Sequence, residues 1–174
     1  MVLILGAKSS GKSVFARQIC EQRKKDKILY IATLRDINEY THKKISVHQK
    51  KRKDFYKLFE LDTQIKEAKG QVKKGDIVLL ESLDSLVENE LFSKNSAKSI
   101  VKKIVKGLKS IDKKAKGELF IVSWDLGMAS CMCYDSVTGE YVKMLCELNR
   151  EVSKAAQSVV EVVYSLPVLR KGSL

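Results

Sequence analysis

The run Gly6-Ala7-Lys8-Ser9-Ser10-Gly11-Lys12-Ser13 constrains this chain more than any other stretch, because it fits G-x-x-x-x-G-K-[ST] without a mismatch and so reads as a phosphate-binding loop. Glycines let successive backbone N–H groups turn inward around an anion, a lysine meets the outer phosphates and a hydroxyl holds magnesium. Lys12 and Ser13 supply the last two groups, which makes Lys12 a candidate catalytic residue and Ser13 a candidate metal ligand. The context agrees with the motif. Val2-Leu3-Ile4-Leu5 is apolar enough for a buried strand, and Val14-Phe15-Ala16-Arg17-Gln18-Ile19 continues as a helix whose N-terminus faces the phosphates.

Beyond the loop, strand-like and helix-like patterns alternate. Ile28 to Thr33 reads as a second buried strand, Asn38 to Lys50 as a very basic helix, Phe55 to Leu61 as a short edge strand and Thr63 to Lys73 as a helix. Gly75-Asp76 opens Ile77-Val78-Leu79-Leu80-Glu81, an apolar run ending in a carboxylate. That is the form of a Walker B strand, whose acid orients the magnesium shell beside Ser13. Asp84 is the next acid along. A short helix is expected over Leu83 to Phe92 and a longer one over Ser96 to Ile111, with Ala97, Ile100, Val101, Ile104, Val105, Leu108 and Ile111 on one stripe and lysines opposite. Leu119 to Ser123 reads as a core strand, Gly139 to Ala156 as mostly helix, and Val159 to Tyr164 as the final strand before the only proline, Pro167. Such alternation predicts an α/β fold with a mainly parallel central sheet, helices on both faces and the site at the carboxyl ends of the strands. No repeat or linker divides it, so residues 1-174 are expected to form one P-loop nucleotide-binding domain.

Composition narrows the classes of partner. With 33 Lys+Arg against 21 Asp+Glu the net charge is +12, which favours nucleotides, nucleic acid or acidic membrane surfaces. The lysines are spread over helix faces, and the 7% aromatic content is not interleaved with basic residues as base-stacking surfaces require, so nucleic acid is disfavoured. No apolar run approaches the roughly 20 residues of a membrane span. The apolar run at the N-terminus has no basic region ahead of it and is too short for a signal peptide, so the expected compartment is the cytoplasm. Cys20, Cys131, Cys133 and Cys146 are too few and too unevenly spaced for a disulfide framework or a zinc site, and read as reduced thiols.

The span from Tyr30 to Glu60 adds a second constraint. Tyr30-Ile31-Ala32-Thr33 is followed by His48 within Lys44-Ile45-Ser46-Val47-His48-Gln49-Lys50-Lys51-Arg52, with Tyr56 and Glu60 downstream. In this order the blocks resemble the adenosylcobinamide kinase / adenosylcobinamide-phosphate guanylyltransferase family, the bifunctional enzymes of cobalamin nucleotide-loop assembly. There a GGxRSGKS loop is followed by YIAT and then by R-I-x-x-H-x-x-x-R. The resemblance continues through Leu79-Leu80-Glu81-Ser82-Leu83, Val122-Ser123-Trp124-Asp125-Leu126-Gly127, Leu148-Asn149-Arg150 and Val162-Val163-Tyr164-Ser165-Leu166-Pro167-Val168.

The resemblance implies a homotrimer with a RecA-like P-loop NTPase core, acting with Mg2+ on ATP or GTP and on adenosylcobinamide, a corrinoid. It implies phosphorylation of the cobinamide hydroxyl, then transfer of GMP from GTP through a guanylylated histidine, here His48. Thr33, Arg52, Glu60 and Glu81 join residues Gly6 to Ser13 as implied nucleotide contacts, with Glu81 also at the metal. Lysine-rich surroundings make His48 harder to protonate and so keep it nucleophilic near neutral pH. His42 has no counterpart in the pattern and reads as solvent-facing.

The chain departs from that pattern at several points. The arginine ahead of isoleucine is Lys44, which keeps the charge and loses the bidentate fork. The glutamate between YIAT and the histidine falls on Tyr40, with Glu39 adjacent; the asparagine-glutamate pair becomes Trp124-Asp125; Met128-Ala129-Ser130 replaces a glycine-rich continuation after Gly127; and Glu81 stands in place of aspartate. Two other readings share the loop: a diverged P-loop kinase or nucleotidyltransferase that keeps one half-reaction or takes another acceptor, and a non-catalytic nucleotide-binding module.

Overall fold

The computed structural model describes residues 1–23, 27–35, 55–93, 100–126 and 135–174. The basic helix expected over Asn38 to Lys50, with His42, His48 and Arg52, lies outside the described residues, as do Ala97 and the segment 127–134 with Cys131 and Cys133. In chain order the elements are β1 (Val2–Gly6), α1 (Lys12–Arg23), β2 (Ile28–Ala32), β3 (Tyr56–Glu60), a 3₁₀ turn (Ile65–Gly70), β4 (Val78–Glu81), α2 (Leu83–Phe92), α3 (Ile100–Ala115), β5 (Leu119–Trp124), α4 (Ser136–Ala155), β6 (Ser158–Val163) and β7 (Leu166–Lys171).

Apolar runs become strands of this kind because successive side chains point to opposite faces, and a strand apolar at every position must be covered on both. Leu3, Leu29, Ile31, Val78, Leu80, Leu119 and Ile121 fall on one face, under α2, α3 and α4. Val2, Ile4, Ile28, Tyr30, Leu79, Phe120 and Val122 fall on the other, under Ala16 and Cys20 of α1. The stripe of α3 meets the sheet as its spacing predicts: Ile100, Ile104, Leu108 and Ile111 are buried while Lys102, Lys103, Lys106 and Lys109 face solvent. Each such aliphatic side chain contributes about 1.5–3 kcal/mol by leaving water.

Among the described residues seven strands form one sheet, in the order β3-β2-β4-β5-β1-β6-β7. Every pairing is parallel except β6 with β7. β5 therefore separates the strand that feeds the phosphate loop from the acid-ended strand β4, the RecA-like arrangement of a P-loop NTPase fold. The carboxyl ends of β1, β2, β4 and β5 lie along one edge of the sheet. The segment expected as an edge strand is β3, at the sheet's margin. No helix among the described residues is long and apolar enough to cross a membrane.

Three expectations are corrected. Val159 to Tyr164 is not the end of the sheet: the chain reverses at Tyr164-Ser165 and returns through Pro167 as the antiparallel strand β7. The turn carries neither the glycine nor the asparagine that signals a tight hairpin, and proline, which breaks a central strand, is tolerated at an edge. Thr63 to Lys73 shortens to the 3₁₀ turn, with Gln64 in the left-handed region at φ 53° ahead of it. Gly107 lets α3 approach so closely that a Cβ there would lie 2.7 Å from Cγ2 of Ile65. The helix expected from Gly139 starts earlier, because Asp135 accepts from the amides of Val137 and Thr138 as an N-cap.

Candidate nucleotide-binding site

β1 enters the loop at Gly6, which must be glycine because a Cβ there would strike Ser10 Oγ and lie 2.7 Å from the Val162 carbonyl. Ser9 at φ 62° and Gly11 at φ 93° then reverse the backbone, left-handed turns of the kind from which anion nests are built, and the Ser10 amide donates to the Ala7 carbonyl at 3.2 Å. Lys12 Nζ reaches back to donate to the Ala7 carbonyl at 3.1 Å, which sets its ammonium over the loop. No acidic residue sits in the first turn of α1, so the partial positive charge of its N-terminus adds to that of the loop. Ala7, Lys8 and Ser9 are exposed and Ser13 is half-buried. Ser10 Oγ is buried and has no hydrogen-bond partner among the described residues.

A second chain segment braces the loop. The Ser165 amide donates to the Ser10 carbonyl at 2.8 Å, and a Cβ on Gly11 would lie 3.1 Å from Ser165 Cα. On the other side the Asp125 amide donates to the Gly6 carbonyl at 3.1 Å. The Trp124-Asp125 departure thus falls directly beside the start of the loop.

Two carboxylates stand at the neighbouring strand ends. Glu81 closes β4, where its carboxylate accepts from the Tyr30 hydroxyl and lies 3.6 Å from the Arg17 guanidinium. Tyr30 is in turn packed edge-on by Tyr56, ring centroids 5.7 Å apart, and Tyr56 donates to Glu21 at 2.6 Å. Asp84, in the first turn of α2, accepts from the Trp124 amide at 3.2 Å. Burial pushes its carboxyl above the ordinary carboxylate range, against the pull of hydrogen bonds and of the nearby Lys12 ammonium. Glu81 is engaged by α1 and β2, and Asp84 feels the loop lysine.

Side chains tie the strand ends into a stiff edge, satisfying backbone groups that the sheet leaves free. Thr33 is fully buried; its hydroxyl donates to the Ser82 carbonyl at 2.6 Å and accepts from the Ser82 amide at 2.7 Å. Asn89 of α2 donates to the Thr33 carbonyl at 2.7 Å. Asn149 of α4 accepts from Ser123 Oγ at 2.7 Å and donates to the Trp124 carbonyl at 3.0 Å. Glu60 ends β3 and is exposed; at about 4.8 Å per strand spacing, β3 stands roughly 19 Å from β1. Loop residues, Glu81 and Thr33 thus share one edge of the sheet, with Glu60 at its margin.

Among the described residues no three His, Cys, Asp or Glu side chains gather into a metal cage. The donors present, the Ser13 hydroxyl with a carboxylate from Glu81 or Asp84, fit magnesium, which takes one or two protein ligands and completes its shell with water and phosphate oxygens. Cys20 is a free thiol in the core, and burial pushes it far up, so it stays protonated and inert. Sequence reasoning missed Arg17, Tyr30 and the Tyr164-Ser165 turn. Arg17 and Tyr30 each lie within a stretch already singled out, but nothing in their spacing indicates a shared carboxylate.

Comparisons with known proteins bear on both fold and family. A structure from Pyrococcus horikoshii OT3 superposes with a TM-score of 0.56 at 13% identity, covering 100% of this chain and 87% of that one. The flagellar accessory protein FlaH from Methanocaldococcus jannaschii gives 0.51 at 15% identity, covering 99% and 78%. A DnaB-like replicative helicase gives 0.53 at 12%, covering 97% of this chain and 53% of the helicase chain. At such identities these likenesses concern the fold alone. No curated protein matches the sequence. The profile of cobinamide kinase / cobinamide phosphate guanyltransferase, however, matches residues 2–169, nearly the whole chain and the loop, acids and strand ends described above. This chain belongs to the cobinamide kinase / cobinamide phosphate guanyltransferase family, transferases of cobalamin biosynthesis with a nucleotide-binding P-loop.

Proposed function

We propose that the chain carries out both half-reactions of its family on adenosylcobinamide, as a cytoplasmic homotrimer. In the first, the cobinamide hydroxyl oxygen attacks the γ-phosphorus of ATP or GTP, the bond to the bridging β-oxygen breaks, and the hydroxyl proton passes to solvent. In the second, the His48 imidazole attacks the α-phosphorus of GTP and pyrophosphate leaves. The cobinamide phosphate oxygen then attacks that phosphorus, and the P–N bond breaks to free the histidine.

The observation that carries the reading is the loop itself: a backbone reversed at Ser9 and Gly11, a lysine ammonium 3.1 Å from the Ala7 carbonyl oxygen, and the carboxylates of Glu81 and Asp84 on the same edge of the sheet. Gly6 to Ser13 would cradle the phosphates, with Lys12 following charge onto the leaving oxygen. Magnesium on Ser13 and Glu81, with Asp84 alongside, would supply neutralisation of the charge developing on the phosphates. Thr33, rather than touching nucleotide, would hold the ends of β2 and β4 in register, and Arg52 and Glu60 would serve the guanylyl step.

Incubation with labelled GTP tests the scheme. Label at the α-phosphate should pass to the protein and then to a corrinoid phosphate; label at the γ-phosphate should pass to the corrinoid without residing on the protein. The departure at Trp124-Asp125, next to Gly6, favours a second reading in which one half-reaction is lost. Transfer of only one label would establish it, and transfer of neither would leave a binding module.

A further inference from the structure

The turn that braces the phosphate loop carries a side chain that the fold does not use. Tyr164 and Ser165 both take left-handed conformations, φ 48° and 65°, where a two-residue hairpin ordinarily has glycine, asparagine or aspartate because a Cβ is unfavourable there. The Ser165 position is locked by the Ser10 carbonyl and by contact with Gly11. Tyr164 has no such constraint and is 92% exposed, so its ring offsets none of the backbone strain by burial. Two further large apolar side chains are exposed on elements that adjoin the loop or its brace: Leu166, 69% exposed, at the start of β7, and Val14, 51% exposed, in the first turn of α1 directly after the Lys12-Ser13 pair. A large aromatic side chain thus stands exposed on a residue of left-handed backbone, in a turn bonded to the phosphate loop.

We propose that Tyr164 is the stacking platform for the base of the nucleoside triphosphate whose phosphates occupy the loop, an inference that rests on the P-loop reading above. A base has a π-face whatever its identity, and stacking on an aromatic ring is tolerant of sequence. The platform therefore takes adenine and guanine alike and adds affinity without choosing the phosphoryl donor. Anchoring the turn to Ser10 and Gly11 keeps the Tyr164 backbone next to the phosphate loop, and the ring orders when the base stacks on it.

Calorimetry on the full chain with magnesium and imido analogues of ATP and GTP, beside inorganic tripolyphosphate, separates the base from the phosphates. Tyr164→Ala should weaken both nucleotide analogues by on the order of tenfold and leave tripolyphosphate unchanged, while Tyr164→Phe should bind as the parent does. Tyr164→Gly separates stacking from structure, because glycine is at ease in the left-handed region. It should melt no lower than the parent and yet bind nucleotide as weakly as Tyr164→Ala. Parent-like nucleotide affinity in Tyr164→Ala, or an equal loss of tripolyphosphate and nucleotide, would overturn the stacking role while leaving the loop as the phosphate site. If Lys12→Ala bound tripolyphosphate as the parent does, the P-loop reading and the platform would fall together.

Discussion

Arg17 Nη1 stands 3.6 Å from Oε2 of Glu81, and the same oxygen accepts a hydrogen bond from the Tyr30 hydroxyl. The contact joins the helix leaving the phosphate loop to the acid that ends a strand two places away in the sheet. Side-chain exposures of 20% and 13% mean that water screens the pair little, and removing the cation would leave an enclosed carboxylate without its arginine. Arg17→Ala should therefore cost about 1–3 kcal/mol of stability in a urea titration. Arg17→Lys should recover part of it, keeping the charge and losing the planar fork. Parent-like stability in Arg17→Ala would mean that Glu81 is satisfied without the arginine.

Lys12 lies over the loop, bonded at its tip to the Ala7 carbonyl, so its loss should hardly disturb the fold. Lys12→Ala should keep the parent's melting temperature within a few degrees and lose about 100-fold or more in kcat, the scale seen when a preorganised charge contact to the transition state is removed. Phosphorylation of the acceptor at the parent rate would show that the chemistry takes place elsewhere.

Glu81→Gln keeps a hydrogen-bond acceptor for Tyr30 and Arg17 and removes the charge. If Glu81 serves the metal, the magnesium needed for half-maximal activity should rise on the order of tenfold, with smaller effect on thermal stability. An unmoved magnesium midpoint in Glu81→Gln, beside a raised one in Asp84→Asn, would transfer the role to Asp84.

Asp84 also makes a prediction about pH. Its carboxyl is raised by burial from the ordinary 3.8, so between that value and the raised one the folded protein binds more protons than the unfolded chain. Stability at this residue then falls as pH rises through the window. Asp84→Asn, which can still accept from the Trp124 amide, should be more stable than the parent at pH 7, with the advantage shrinking as pH falls toward 3. Denaturation midpoints at the two pH values check it, and an advantage that grew on acidification would reverse the sign we assign. Because Lys12 is near, the stabilised variant should turn over substrate more slowly.

His48 divides the half-reactions. Mixing protein, magnesium and α-labelled GTP should release pyrophosphate and leave an adduct stable to base and lost in acid, as a phosphoramidate is. His48→Ala should abolish the adduct, His42→Ala should not, and the kinase step should survive in both, since the acceptor hydroxyl attacks the γ-phosphate without a covalent carrier. A labelled adduct on His48→Ala would assign the nucleophile to another residue.

Patterns set by neighbours along the chain are legible in the amino-acid sequence. The loop motif, the apolar runs of β1, β2, β4 and β5, the amphipathic stripe of α3 and the acid closing β4 each depend on residues a few positions apart, as do the ordered blocks that mark the family. Strand order, by contrast, is settled by which apolar faces can be covered together, and placing β5 between β1 and β4 is a property of the whole sheet. β7 is hidden for the same reason: an exposed edge strand containing Pro167 has no buried face to impose a period, and it exists because β6 offers it an edge. The environment of each acid is equally out of reach, since Glu81 meets Arg17 and Tyr30, and Asp84 meets Trp124, only through packing. Ser165 touches Ser10 and Gly11 from the far end of the chain. The local sequence determined that a phosphate loop forms, and the tertiary fold decided which side chains surround it, because desolvation and contact arise between residues that only folding brings together.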